Sequence, residues 1–283
     1  VNRPLLEEKI MKALMVAATF IVTGSLALIL ATVFIKGFSA LSVDMLIKTP
    51  QGGFYTGKEG GILNAITGSM VLSLGATLLA LALSLPLALY LNLYLRKSSR
   101  FAFITRFILD ILFGVPSIVY GAFGFIIMVF FGLRASLLAG TITVALLVVP
   151  VMTRAMDEVL KTVPQDLRDV SLALGANRIE TGIKVMLRQA LPGLLTAVLI
   201  SFGRAISDAA SVLFTAGFTD SLPYSLFQPV ATLPLAVFFQ LGTPFPEVQE
   251  RGYASALVLT VIILAISIGV RVISGRFTKN TIR

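Results

Sequence analysis

With 283 residues, 57% of them hydrophobic and only 13% charged, the chain is too apolar for a water-soluble domain, where charged residues make up about 25%. It contains no Cys and no His, which excludes disulfides and thiolate metal sites, removes the usual proton shuttle near neutral pH, and argues against a hydrolytic active site. The net charge of +9 is explained by where Lys and Arg fall along a membrane chain, so no nucleic-acid partner is expected.

Six stretches read as membrane-spanning: 13–35, 62–95, 107–131, 135–152, 192–218 and 252–275. Each approaches the roughly 20 apolar residues that a spanning helix needs. Helices are the default, because open sheets and lipid-exposed loops leave backbone groups unpaired. The first stretch follows a basic start (Arg3, Lys9, Lys12) and is longer than a signal core. Lys36-Gly37-Phe38 offers no small-residue cleavage site, so a retained anchor helix is expected. An outside segment, 37–61, follows, with turn signals at Thr49-Pro50-Gln51-Gly52-Gly53 and Gly60-Gly61.

Pro86 and Pro116 predict kinks in the second and third spans. The third and fourth spans are joined by a tight hairpin at Gly132-Leu133-Arg134. Asp110 is expected to pair with Arg106, one turn earlier on the same helix. The connection from about Thr153 to Leu191 is too polar to cross the membrane and too patterned for a loose linker. Within it, Val163 to Gly175 reads as a short helix. Pro164 suits its first turn, Asp166 and Asp169 lie toward the positive end of the dipole, and Gly175 can take the left-handed conformation that stops it. Leu167, Val170 and Leu174 give one apolar face. This helix either lies on its own bundle or lipid headgroups, or docks a soluble partner. A second helix, Ala176 to Arg188, is expected to lead to Pro192. Residues 219–251 hold five prolines and predict a re-entrant or extended segment.

Seventeen of the 23 Lys and Arg residues fall at the N-terminus, the second and fourth connections and the C-terminus, against five in the remaining connections. The positive-inside rule then places both termini in the cytoplasm.

Arg204 is the one basic residue left inside a span, with Asp208 four residues on and expected on the same helix face. Charges at bilayer depth are costly and commonly mark a pathway. The alternative is an ion pair that neutralises itself. An oxyanion crossing lipid needs a cation to replace its water, and Arg supplies a planar fork that stays charged. Asn64 and Ser117 either add neutral hydrogen bonds to such a pathway or bond neighbouring helices. No Gly-x-x-x-x-Gly-Lys-Ser/Thr loop is present, so ATP hydrolysis has to come from another polypeptide.

Asp169-Val170-Ser171-x-x-x-Gly175, followed by Val185-x-Leu187, resembles the Glu-Ala-Ala-x-x-x-Gly loop of ABC-importer permeases. Val163-Pro164-x-x-Leu167-Arg168-Asp169, Ala173-Leu174-Gly175-Ala176, Gly114 to Gly121 and Leu213-Phe214-Thr215-Ala216 are similar to the PstA-type permeases of phosphate importers. The resemblance implies an all-α type I permease fold: an anchor and periplasmic segment over 1–61, a permease core over 62–275 with a coupling loop at 153–191, and a tail at 276–283. It implies that Pro164, Leu167, Asp169, Val170, Ser171, Leu174 and Gly175 seat in an ATPase groove, and that Arg204 and the acidic residue after it serve transport. The implied partners are a homologous PstC-like permease, a PstB-like ATPase dimer carrying ATP and Mg, a PstS-like phosphate-binding protein outside, and membrane lipid. No cofactor is expected in this chain, and the cytoplasmic membrane of a prokaryote is its expected location. Another oxyanion is the nearest rival substrate. An autonomous channel or ion-driven carrier is the alternative from a different class.

Overall fold

The computed structural model describes residues 3–51, 60–96 and 98–277. All its elements are helical: α1 (Arg3–Ala40), α2 (Val43–Ile47), α3 (Leu63–Leu93), α4 (Arg100–Gly114), α5 (Ser117–Phe130), α6 (Leu137–Lys161), α7 (Gln165–Ala173), α8 (Arg178–Glu180), a π-helical turn Thr181–Met186, α9 (Leu187–Ser207), α10 (Leu233–Leu241) and α11 (Pro246–Phe277). Among the described residues, five segments are long and apolar enough to cross a membrane: Glu7–Ala40, Leu63–Leu93, Leu137–Lys161, Arg178–Ser207 and Pro246–Val272. The sixth expected span is α4 and α5 together, bent by 97°. The Gly52-Gly53 turn signal and most of the expected 276–283 tail lie outside the described residues.

The bend follows from Val115-Pro116. Proline has no N–H to continue the ladder, and its ring forces the preceding residue out of the helical region. Val115 is accordingly extended (φ −69°, ψ 129°) and α4 stops at Gly114. The Tyr120 hydroxyl reaches back across the bend and donates to the Leu112 carbonyl at 2.9 Å, satisfying an acceptor in the last turn of α4. Pro86 behaves differently: α3 runs through it unbroken to Leu93.

The α3–α6 pair forms the centre. α3 presents Ala76, Ala80 and Ala88, all fully buried, to Val144, Val148, Met152 and Met156 of α6. Small side chains let the backbones approach, which is how helices associate where lipid supplies no hydrophobic drive. Ser84 of α3 donates to the Val149 carbonyl of α6 at 3.2 Å. α9 packs beside this pair, α11 packs on α9, and α10 tucks between α3 and α11. α1 is exposed along its apolar length, as suits a helix facing lipid. Its hydroxyls are satisfied within the helix: Thr19, Thr23, Ser25 and Thr32 each donate to the carbonyl four residues earlier. It meets α11 at Gly37, where a Cβ would lie 2.6 Å from the Tyr253 carbonyl oxygen.

α6 extends past the expected end at 152 to Lys161, so the first part of the supposed connection is helix. The second expected helix, 176–188, is instead α8 and the π turn running directly into α9. The fifth span stops at Ser207 rather than continuing to 218. Residues 208–232 then weave across the N-terminus of α6. The amides of Ser136, Leu137 and Leu138 donate to the carbonyls of Thr215, Gln228 and Leu226 at 2.8–2.9 Å. These amides are among those every helix start leaves without an internal partner.

Candidate coupling surface and pathway residues

α7 stands at the end of the molecule where α3 and α6 finish and α9 begins. Pro164 is its N-cap, one position ahead of the expected first turn, and Asp166 lies in that turn. The helix ends at Gly175, whose φ of +87° only glycine adopts without strain. No residue of α7 is fully buried.

The expected apolar face divides. Leu167 is half-buried against the body, whereas Val170 and Leu174 are 57% and 83% exposed. Ile179 and Ile183, on the segment that follows, are exposed as well. Asp169 points into solvent, and Ser171 shares a hydrogen bond of 3.0 Å with Thr181 of the π turn.

Arg168 ties α7 down. Its Nη1 and Nη2 donate to the carbonyls of Asn92 and Leu93 at 2.8 and 2.9 Å. Those carbonyls belong to the last turn of α3, where acceptors are unpaired and the dipole favours a cation. Asn177 starts the next segment with a reciprocal cap: its Oδ1 accepts from the Glu180 amide, and Glu180 Oε2 accepts from the Asn177 amide.

Beneath α7 lies a charged cluster that the sequence pattern did not reveal. Asp157 of α6 has a fully buried side chain. Arg106 Nε and Nη2 bind its two oxygens at 2.8 and 2.9 Å, a bidentate fork joining α4 to α6. Asn92 Nδ2 donates to the same carboxylate at 2.9 Å, and Lys161 lies at 2.8 Å. Arg106 therefore does not pair with Asp110 as expected. Asp110 pairs instead with Arg154 Nε at 2.6 Å. Both carboxylates are answered across the α4–α6 contact rather than along one helix. The Arg154, Asp157, Lys161 spacing was visible, but only an α6 extended past 152 puts it on one face.

The four pathway candidates do not converge. Arg204 is exposed on the last turn of α9 and has no ion-pair partner among the described residues. Asp208 does not share its helix face, because α9 has already ended and Asp208 is extended. Its carboxylate accepts from the Ser211 amide at 2.8 Å and from the Ser211 hydroxyl, and so caps the turns at 208–216. The phenol of Tyr120 lies within electrostatic reach of Arg204. Ser117 is half-buried at the start of α5. Asn64 is 1% exposed, and its Nδ2 donates to the Thr219 carbonyl at 2.7 Å, joining α3 to the 208–232 segment.

Two of the sequence runs that carried the resemblance lie in neighbouring elements, α5 and the 208–216 turns. A Cβ on Gly121 would lie 2.8 Å from the carbonyl oxygens of Ala210 and Ser211, and one on Gly124 would crowd Thr143 and Thr215. Thr215 and Ala216 in turn give their carbonyls to Ser136 and Val230. This part of the pattern is therefore about how α5 packs on the 208–216 turns.

Helix order, the split span and the exposed short helix between α6 and α9 define a multi-pass membrane permease. The family described as binding-protein-dependent transport system inner membrane component matches residues 84–282. The phosphate transport system permease protein PstA of Haemophilus influenzae is 33% identical over 243 residues, covering 86% of this chain and 85% of that protein. That of Pasteurella multocida is 32% identical over 274 residues, covering 97% and 96%, and that of Yersinia pestis 34% over 248, covering 88% and 83%. Among solved structures, an inward-facing form of the MetNI methionine ABC transporter shares the fold with a TM-score of 0.61 at 17% identity, over 76% of this chain and 95% of that one. The chain belongs to the family of binding-protein-dependent inner-membrane transport components, in its PstA permease branch.

Proposed function

We propose that this chain is the permease subunit of an ATP-driven ABC importer and passes inorganic phosphate into the cytoplasm of a prokaryote. The observation that carries the reading is α7: a short, capped helix with exposed Val170 and Leu174, standing clear of the bundle yet fixed to it by Arg168. A helix that leaves its aliphatic side chains in water suits a groove on a soluble partner. The positive-inside distribution puts that helix and both termini in the cytoplasm.

The partners follow from what the chain lacks and displays. ATP and Mg belong to a PstB-like ATPase dimer that receives α7. A homologous PstC-like permease completes the pathway, and a PstS-like protein delivers the anion to the outer segments 37–61 and 219–251. No cofactor is needed in this chain.

Closure of the ATPase dimer would pull on α7. Arg168 passes the displacement to the end of α3, and the Ser171–Thr181 contact passes it to the π turn that leads into α9. α9 carries Arg204 at its far end, so one rigid lever connects the docking helix to the cation. With Asp208 engaged by Ser211, the Arg204 guanidinium is free to meet an oxyanion. A single Arg gives a shallow well that the ion can leave.

The test is phosphate uptake in cells whose own permease is deleted. Leu174→Asp should lose uptake and fail to co-purify the ATPase while remaining in the membrane. Full uptake with bound ATPase would remove α7 from the coupling role. Arg204→Lys should impair uptake more than Arg134→Lys in the hairpin, because only the fork geometry at 204 is used. Equal uptake by the two variants would take Arg204 out of the pathway.

A further inference from the structure

A cavity of about 490 Å³ lies between the end of α3 and the base of α7. Five cations line it, Arg96, Arg106, Lys161, Arg168 and Arg178, and no carboxylate does among the described residues. They come from the connection after α3, from α4, from the end of α6, from α7 and from α8. Asp157 answers Arg106 and Lys161 from the buried side, and Glu158 takes Lys161 from the outside. Donors remain. Among the described residues, Arg106 keeps Nη1 unused and Arg168 keeps Nε, since its two bonds to α3 use Nη1 and Nη2. Arg178 stacks over the Tyr94 ring at 5.5 Å, and neither it nor Arg96 has a carboxylate partner among the described residues. Like charges gathered around a concave space repel until an anion enters it, and guanidinium forks match the oxygens of a phosphate group.

We propose that this cavity binds a phosphate group, either free inorganic phosphate or the headgroup of an anionic lipid. The site is distinct from Arg204, which lies at the opposite end of α9, and does not depend on the transport reading. An occupant contacting Arg96, Arg106 and Arg168 together would brace α7 against α3 and α4, and so would stiffen the helix that the partner grips.

The chain has no Trp, so Tyr94→Trp in the full-length protein gives a single fluorescent reporter inside the cavity and keeps a ring under Arg178. In phosphatidylcholine nanodiscs, inorganic phosphate should produce a saturable change that potassium chloride at matched ionic strength does not. If the headgroup is the source, adding phosphatidylglycerol to the nanodisc should produce the change and block titration by phosphate. In either case Arg96→Ala with Arg178→Ala should weaken binding about tenfold or more. Arg96→Lys with Arg178→Lys, checked for unchanged helix content, should retain most of it. Arg204→Ala should leave the signal intact even where uptake is lost, which separates this site from the pathway. The proposal is overturned by the absence of a saturable change with both probes, by an equal response to chloride, or by an unaltered curve in the double Ala variant. Loss of the signal in Arg204→Ala, or a response only to added ATPase subunit, would overturn it as well.

Discussion

The two ends of this bundle are held by different chemistry. At the α7 end, charged side chains do the joining: Asp157 gathers Arg106, Lys161 and Asn92, and Arg154 holds Asp110. At the other end, 208–232 is fastened by backbone hydrogen bonds to α6, by hydroxyls such as Ser69, which accepts from the Leu233 amide at 2.7 Å, and by glycines that admit carbonyls. Long charged side chains can span the α4–α6 gap because their heads lie near water. At the 208–232 end close backbone approach does the joining instead, small residues letting chain segments meet. Arg204 at the second end has no ion-pair partner among the described residues, which is what makes it a candidate for function.

The comparison is broken most severely at Asp157. Asp157→Ala leaves Arg106 and Lys161 without the buried carboxylate that neutralises them. Removing one partner of a buried pair costs about 3–5 kcal/mol. Arg106 and Lys161 retain 21% and 36% exposure, so roughly the lower figure is expected, read as a drop in the unfolding midpoint in detergent. Arg154→Ala should cost less, because Asp157 keeps Arg106, Lys161 and Asn92 when the 3.3 Å contact to Arg154 is lost, and the other two partners of Arg154, Asp110 and Glu158, are 53% and 60% exposed. If both variants melt alike, the charged end is not organised around Asp157.

The second end should break by adding a methyl group. Gly68 of α3 faces the backbone of 230–231, and a Cβ there would overlap the Ala231 carbonyl oxygen. Backbone cannot swing aside as a side chain does, so Gly68→Ala should destabilise by roughly 1–3 kcal/mol. Gly203→Ala on α9, with nothing within 4 Å of its Cβ, is the control. Added helix propensity should make it neutral or slightly stabilising. Equal effects at the two positions would mean that 208–232 does not rest tightly on α3.

Much of this division is legible in the sequence. Apolar length found the spans, Val115-Pro116 found the break, and Pro164 and Gly175 bounded α7. What the pattern did not show was which charges meet. Pairing Asp110 with Arg106 is the natural reading of a four-residue spacing, but the α4–α6 crossing offered each a better partner. Asp208 likewise looked like a helical neighbour of Arg204. Where a helix ends depends on what can satisfy its last turn, and here Ser211 drew Asp208 into the next turn. Pro86 produces no break, since α3 continues through it to Leu93.

The smallest expected effect sharpens the contrast through one carboxylate at the second end. Burial pushes the Asp220 carboxyl above its usual range, and its Oδ1 has no hydrogen-bond partner among the described residues. A raised carboxyl pKa means that the folded chain holds the proton more tightly than the unfolded one, so stability falls as pH rises from the unfolded value near 3.9 through the folded value. Asp220→Asn keeps the shape and removes the charge. Its unfolding midpoint should exceed that of the parent modestly at neutral pH, and the two should converge as pH falls toward 4. A constant offset at every pH would mean that the gain comes from the amide's hydrogen bonds. Asp157→Asn should behave in the opposite sense at neutral pH, losing stability, because that carboxylate is held by cations rather than by an apolar wall.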